Sequence, residues 1–533
     1  MRYGYRGLIA ATAVAALTAT ACTSQGQAEN KPDKPPLFKP GSDVSYAKYG
    51  EDYPQTTVKD VPGPCSYESI SRRDYSGQSL KIISHAVPVI GEPTYLHAKQ
   101  FEEITGANVE VVNVPFGELH QKILTPLQAG QRAYDVMFYP SLWIGDLAPY
   151  LEPVPQEYLD TPGMKDVTRA YMDVATWDGK VVQYPVDGDR HYLKVRSDVF
   201  EDPKQRAAYE QATGEELRVP RTWEEYQRVA GFFSGKDADG DGEPNFGSAE
   251  VTKRDDLTFS AFISRAAPYV KHPDVKGGVF FDLETMKPLI NTPGFVRALE
   301  DMVKAKSTWA PGGANFGLGD EIFSFGGGQA LMSYSWDDAF IQAQQADNEI
   351  RNKVEAAPLP GSDEVYNRTT RKWDTMPNQA PYFTWGWTSA VAKAAPNKQM
   401  AFDYLCFFSN EANTALDLTI GRFGVNPYRE SHFDAAFWEK QGWDKEVAAS
   451  YVRTLADMEK SDNRLFDLRV PGVSGYMSAL ASGVAAAIAG QKDPQQALDD
   501  VAREWARITD QIGEEKVRAA YRNVVSLEDR DHS

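Results

Sequence analysis

Aromatic rings and carboxylates occur together at several places in this sequence. In Tyr134–Pro153, YDVMFYPSLWIGDLAPYLEP, the apolar run Val136-Met137-Phe138-Tyr139 breaks at Pro140 and hands Trp143 to the following turn. A second strand-like run, Ala330-Leu331-Met332, brings Tyr334, Trp336, Asp337 and Asp338 to its carboxyl end. Trp385-Gly386-Trp387 sets a glycine between two indoles, where backbone can come close to a ligand. The turn Asp187-Gly188-Asp189-Arg190-His191-Tyr192 gathers carboxylates, a guanidinium and two rings, and Arg422 lies in GRFGVNPY. Such groups suit a sugar: rings cover the CH faces, carboxylates accept from the hydroxyls and a guanidinium donates to them. The candidate ligand-binding residues are therefore Trp143, Tyr139, Asp187, Asp189, His191, Trp336, Asp337, Asp338, Trp385, Trp387 and Arg422. With 11 tryptophans in the chain, several must be core, and Trp143 reads equally as either.

One motif suggests a metal. Asp237, Asp239 and Asp241 followed by Gly242 resemble the start of a calcium loop, with oxygen ligands at positions 1, 3 and 5. Ser248 stands where the bidentate Glu belongs and Pro244 interrupts the loop, so an acidic surface turn is the competing reading. Any calcium there would be structural, and no cofactor is required. A glycosidase would also need aromatics and two carboxylates. However, the chain has no HExxH, P-loop, GxSxG or CxxC signature, and its seven histidines show no ligand spacing.

The elements that must carry these residues follow an α/β rhythm. Ser79–His85 alternates as a strand, Thr94 to Thr105 reads as a helix stopped by Gly106, and Val109–Val114 is a second strand. A helix from Gly117 to Ala129 then leads into Val136–Tyr139, giving βαβ units and a parallel sheet. Val181–Pro185 reads as a strand, and Thr222 with Glu225 forms a capping box that starts a helix over Trp223–Phe233. Further helices are expected around Thr258–Ala267, Pro293–Thr308, Lys398–Phe408, Tyr476–Gly490 and Asp493–Ile512, with a polar hairpin or loop over 361–376.

The 533 residues carry a net charge of −19, which argues against a nucleic-acid partner. Arg2 and Arg6 precede a small apolar run, Gly7 to Thr20, and Ala19-Thr20-Ala21-Cys22 resembles the lipobox of bacterial lipoproteins, in which Cys22 would be lipidated. The family's usual Leu is Ala19 here. Residues 23–77 have a Pro-rich, polar tether composition, although the part around Cys65 and Tyr67 could pack on the body. An exported chain permits a disulfide, yet Cys65 and Cys406 are far apart in sequence, and Cys406 within YLCFF reads as well as a buried thiol.

KQFEEITGANVEVV, PLQAG and AYDVMFYPSLWIGDLAPYLEPV, followed by WDGK, VQYPVDGD and PRTWEE, resemble in that order the extracellular solute-binding proteins of ABC importers, the class that includes maltose-binding proteins. The resemblance implies an α/β, two-lobed periplasmic-binding-protein-like fold with about three hinge crossings. On it the chain divides into signal peptide 1–22, tether 23–77, lobe 1 over 78–188 and 384–431, lobe 2 over 189–383 and 432–525, and tail 526–533. The turn at Asp187 would face the cleft at the first crossing, Trp385–Ala392 would follow the second, and the third would lie near Ser431. The implied function is capture of a carbohydrate, an oligosaccharide for preference, by hinge closure, with Trp143 and Trp336 as a clamp. The implied partners are membrane permease subunits, with the receptor a monomer, extracytoplasmic and held at the membrane by its lipid anchor. A secreted carbohydrate-active hydrolase and a structural surface lipoprotein are the alternatives.

Overall fold

Val136–Pro140 is buried at every position, the mark of a strand covered on both faces. It lies at the centre of a five-stranded sheet ordered Asn108–Val114, Ser79–His85, Val136–Pro140, Trp387–Val391, Tyr184–Pro185. The first three strands are parallel; Trp387–Val391 is antiparallel to both neighbours, and Trp387 pairs with Pro140. A distant segment therefore completes this sheet and starts beside the carboxyl end of the central strand. The computed structural model describes residues 34–50, 53, 56–421 and 424–529.

The second lobe has a three-stranded antiparallel sheet with Tyr192–Val195 between Met332–Ser335 and Glu355–Ala357. Helix Asp256–Val270 packs on Pro293–Ala305 and on Val473–Ile488, which in turn packs on Pro494–Ile512. Ser362–Asn367 and Lys372–Asn378 form the polar hairpin. The chain passes between the sheets at 186–191 and 384–386, and between helices Glu411–Ile420 and Lys445–Lys460 at 424–429. Two of these passages touch. A Cβ on Gly188 would lie 2.0 Å from the Pro427 carbonyl oxygen, so only glycine fits where they cross.

Helix Trp223–Phe233 starts at the expected N-cap, where Thr222 Oγ1 accepts the Glu225 N–H at 3.2 Å, but only half of the capping box forms, since the Glu225 carboxylate accepts the Arg221 N–H at 2.7 Å and not that of Thr222. Three further expectations need correction. Val181–Pro185 is not one strand: Lys180–Val181 pairs with Thr176–Trp177, and only Tyr184–Pro185 joins the main sheet. The supposed tail begins inside helix Glu514–Glu528, whose Glu528 is buried against Lys271 and accepts the Phe466 N–H.

The third concerns the tether, whose residues 23–33 lie outside the described part. From Lys34 onward most of the described segment packs on the first lobe. Asp43–Val44 pairs with Val58–Lys59, and Tyr46 and Tyr67 bury their rings while their hydroxyls donate at 2.7 Å to Asp417 and Asn413 of helix Glu411–Ile420. A few well-spaced aromatics with satisfied polar tips outweigh a Pro-rich composition. Cys65 and Cys406 are joined in a disulfide, Cα to Cα 5.0 Å, which fastens this segment to helix Lys398–Phe408. Cys406→Ser is therefore expected to lower stability by about 2–5 kcal/mol, the usual range for a native disulfide. Urea unfolding of wild type and variant, with and without reductant, checks it: the reductant should affect wild type alone.

Candidate functional site

Between the lobes lies a cavity of about 510 Å³. Its aromatic wall is His85 and Phe116 from the first lobe, Trp385 and Trp387 from the returning strand, and Trp336 from the second lobe. These rings are in contact: Phe116 to Trp385 is 5.4 Å between centroids, and Trp336 to Trp385 is 6.0 Å. The polar wall is Asp189, Asp255, Asp256, Asp338 and Asn426.

The aromatic wall comes from the ends of elements, while Asp189 and Asn426 come from the passages between the lobes. His85 closes its strand and Phe116 opens the helix after Val114-Pro115, both at carboxyl ends of parallel strands, where open α/β sheets place ligands. Trp336 follows strand Met332–Ser335. Trp385 is held in the left-handed region, φ +75°, and Gly386 follows at +53°. The Asp467 carboxylate accepts the Trp385 N–H at 2.6 Å and the Thr384 hydroxyl at 3.0 Å, while the Ser141 hydroxyl donates to the Trp385 carbonyl. These bonds hold a conformation that an indole-bearing residue rarely adopts.

Several residues expected in the site stand behind it. Trp143 is 3% exposed and does not line the cavity. Its ring lies 5.5 Å from Phe116 and 4.8 Å from His120, so Phe116 occupies the place expected for it. Tyr139 is buried within its strand. Asp187 is spent on the backbone: it accepts from Gly188 N and Asn426 N, each at 2.7 Å, and from Trp387 N at 3.1 Å, tying the passages together. Asp337 accepts from the hydroxyls of Tyr192 and Tyr451 beneath the cavity floor. His191 packs edge-on against Trp336 at 4.2 Å, with Nδ1 bonded to the Ser264 hydroxyl. Asp189, Trp336, Asp338, Trp385 and Trp387 do come together at the cavity. Arg422 and Cys22 lie outside the described residues.

The sequence reading missed His85, Phe116, Asp255, Asp256 and Asn426. The strand-end rule applied to Trp143 would have found the first two, and Asn426 lies within the GRFGVNPY segment. In the acidic turn, oxygens of Asp237, Asp239 and Asp241 lie within 4.8 Å of one another. Asp237 accepts the N–H groups of Gly240 and Gly242, Asp241 accepts that of Glu243, and Asp239 is 3.1 Å from Arg196.

The profile of bacterial extracellular solute-binding proteins matches residues 97–449. The chain belongs to this family. A similar relative, from Sinorhizobium fredii, is named a probable amino-acid ABC transporter periplasmic-binding protein, y4oP; identity is 22% over 346 residues, covering 63% of this chain and 70% of the relative. Maltose-bound MalE3 of T. maritima superposes with a TM-score of 0.62 at 22% identity, covering 81% of this chain and 100% of that one. A solute-binding protein of Agrobacterium radiobacter K84 in complex with ribitol gives 0.63 at 18% identity, covering 82% and 100%. The fold is thus the two-lobed one of periplasmic binding proteins.

Buried acids of this binding protein have raised pKa values. Burial pushes Asp187 and Glu321 up to about 7 and Asp337 up to about 6. Asp189 rises further, through burial and then the charge of Asp187, so the pair favours one shared proton. Between about pH 7.5 and 6.5 the folded chain takes up a proton on Glu321 that the unfolded chain, with carboxylates near 4, does not. Stability of the ligand-free protein is therefore expected to rise as pH falls through this window. Below about 6.5 the unfolded histidines protonate, whereas burial holds His191 and His432 neutral, which offsets the further uptake on Asp337. Urea midpoints should rise as pH falls from about 8 to about 6.5; a fall over that range would contradict the assignment.

Proposed function

We propose that this binding protein is the receptor of an ABC importer, anchored to the cell membrane through a lipid on Cys22, and that it takes a carbohydrate or polyol between its lobes. The observation that carries the reading is the interlobe cavity, with indoles from both lobes on its walls and carboxylates and Asn426 between them. Flat rings and hydroxyl acceptors fit a sugar. The sugar and polyol held by the similar solved proteins support this reading.

The amino-acid reading suggested by the name of the Sinorhizobium relative has less support. An amino-acid carboxylate calls for a cationic side chain in the wall, and none lines it among the described residues. Solute bridging the lobes stabilises the closed form through contacts made only there, and the closed receptor, a monomer, docks on its permease. Catalysis has no part in the reading. A structural calcium at the Asp237, Asp239, Asp241 turn is included, and a melting temperature unmoved by added calcium would remove it.

Titration of intrinsic tryptophan fluorescence with sugars, polyols and amino acids tests the proposal, with product analysis after incubation. Saturable quenching by a sugar or polyol left intact supports it. Turnover of an oligosaccharide would replace it with a hydrolase, and failure of the whole panel would favour a structural surface role.

A further inference from the structure

The cavity wall carries four carboxylates, Asp189, Asp255, Asp256 and Asp338, and among the described residues no lysine or arginine. Apart from the exposed Lys253, whose charge acts on Asp255, the neighbouring cations are engaged. Arg190 donates to the carbonyls of Gly188 and Pro427 and pairs with Glu459, Lys194 donates to Ser335, and His120 faces Asp146. Two of the carboxylates are engaged as well: Asp255 caps its helix on Leu257 N, and Asp189 accepts from Asn426 at 2.6 Å. Asp256 and Asp338 accept no hydrogen bond from any other described residue.

A second feature also points to a ligand. Trp336 is 3% exposed, lines the cavity, and its indole N–H has no partner among the described residues. A ligand acceptor, such as a sugar oxygen, would satisfy it.

A neutral polyol could donate hydroxyls to these carboxylates but would enclose their charge uncompensated in a cavity walled by indoles, which is costly. An ammonium group removes that cost twice over, by pairing with carboxylate and by lying against aromatic faces. A bare metal ion fits less well. Among the described residues the only acidic group tight enough to hold one is Asp237, Asp239 and Asp241, remote in the fold from this wall.

We propose that the solute is a carbohydrate or polyol carrying a protonated amine, whose ammonium pairs with Asp256 or Asp338 on the acidic wall while its apolar face lies on Trp336 and Trp385. The proposal rests on the reading of this cavity as a carbohydrate site. Burial raises both carboxylates, with the charge of Asp255 adding to the effect on Asp256, and the charges of His120 and Lys194 only partly offset it.

The test is calorimetric titration of the full chain at about pH 6.5 with matched sets: amino sugars and amino disaccharides, each beside its N-acetyl and its hydroxyl counterpart, with choline as a cation that is not a sugar. Expected is a preference for the amine of about tenfold or more over both neutral counterparts. Of Asp256→Asn and Asp338→Asn, with melting temperatures retained, at least one should reduce that ratio; an unchanged ratio in both would overturn the proposal. Neutral sugars binding as tightly as amines would overturn the proposal and leave the carbohydrate reading intact. Choline binding without any sugar, or no binding at all, would overturn both.

Discussion

Trp385→Ala is expected to weaken solute binding by about 100-fold, because truncating an aromatic anchor in a desolvated pocket costs about 2–4 kcal/mol. Trp143→Ala should behave differently. Trp143 packs behind Phe116 and beside His120 with its ring away from the cavity, and a core Trp→Ala costs about 3–5 kcal/mol of stability. Affinity in the Trp143 variant should change little once enough protein is folded. Trp385 lines the cavity and touches Phe116 and Trp336, so one residue forms the corner between wall segments of both lobes. Fluorescence titration and urea unfolding of both variants separate the two roles. Equal losses of affinity would refute the layering of Trp143 behind Phe116.

That layering also marks how far the sequence could be read. The alternating strands, the helix N-cap at Thr222 and the WGW segment were legible because each depends on nearby residues. Whether Trp143 faces ligand does not. It depends on Phe116, which the end of the neighbouring strand sets between Trp143 and the cavity, and so on the packing of two elements. Asp187 shows the same limit. Its carboxylate stood out in the turn, but its partners Trp387 N and Asn426 N come from segments 200 residues or more away and claim it for the backbone. The Cys65–Cys406 bond, 341 residues apart, was illegible for the same reason. The packing of the part around Cys65 and Tyr67 was anticipated; the earlier part misled because its composition averages over Tyr46, which binds it to helix Glu411–Ile420.

Asp467→Ala is expected to lower both stability and affinity, the first by about 2–6 kcal/mol, as two buried donors lose their acceptor at about 1–3 kcal/mol each. The donors are the Trp385 N–H, the Thr384 hydroxyl and the Tyr382 hydroxyl. Thr384 has a fallback in the Ser260 hydroxyl at 2.8 Å, so the loss should fall on Trp385 and Tyr382. The effect reaches the site because Trp385 sits at φ +75°, a conformation costing about 1–3 kcal/mol that persists only while its surroundings impose it. With Asp467 gone, the peptide can relax and carry the indole off the cavity wall, although its side chain is unchanged. Asp467→Asn retains one acceptor oxygen and should lie between wild type and Asp467→Ala in both measurements. Trp385→Gly in the Asp467→Ala background separates strain from contact: glycine adopts positive φ freely, so stability should be partly recovered while affinity remains lost. If Asp467→Ala bound solute as tightly as wild type, the strained Trp385 backbone would be incidental to binding.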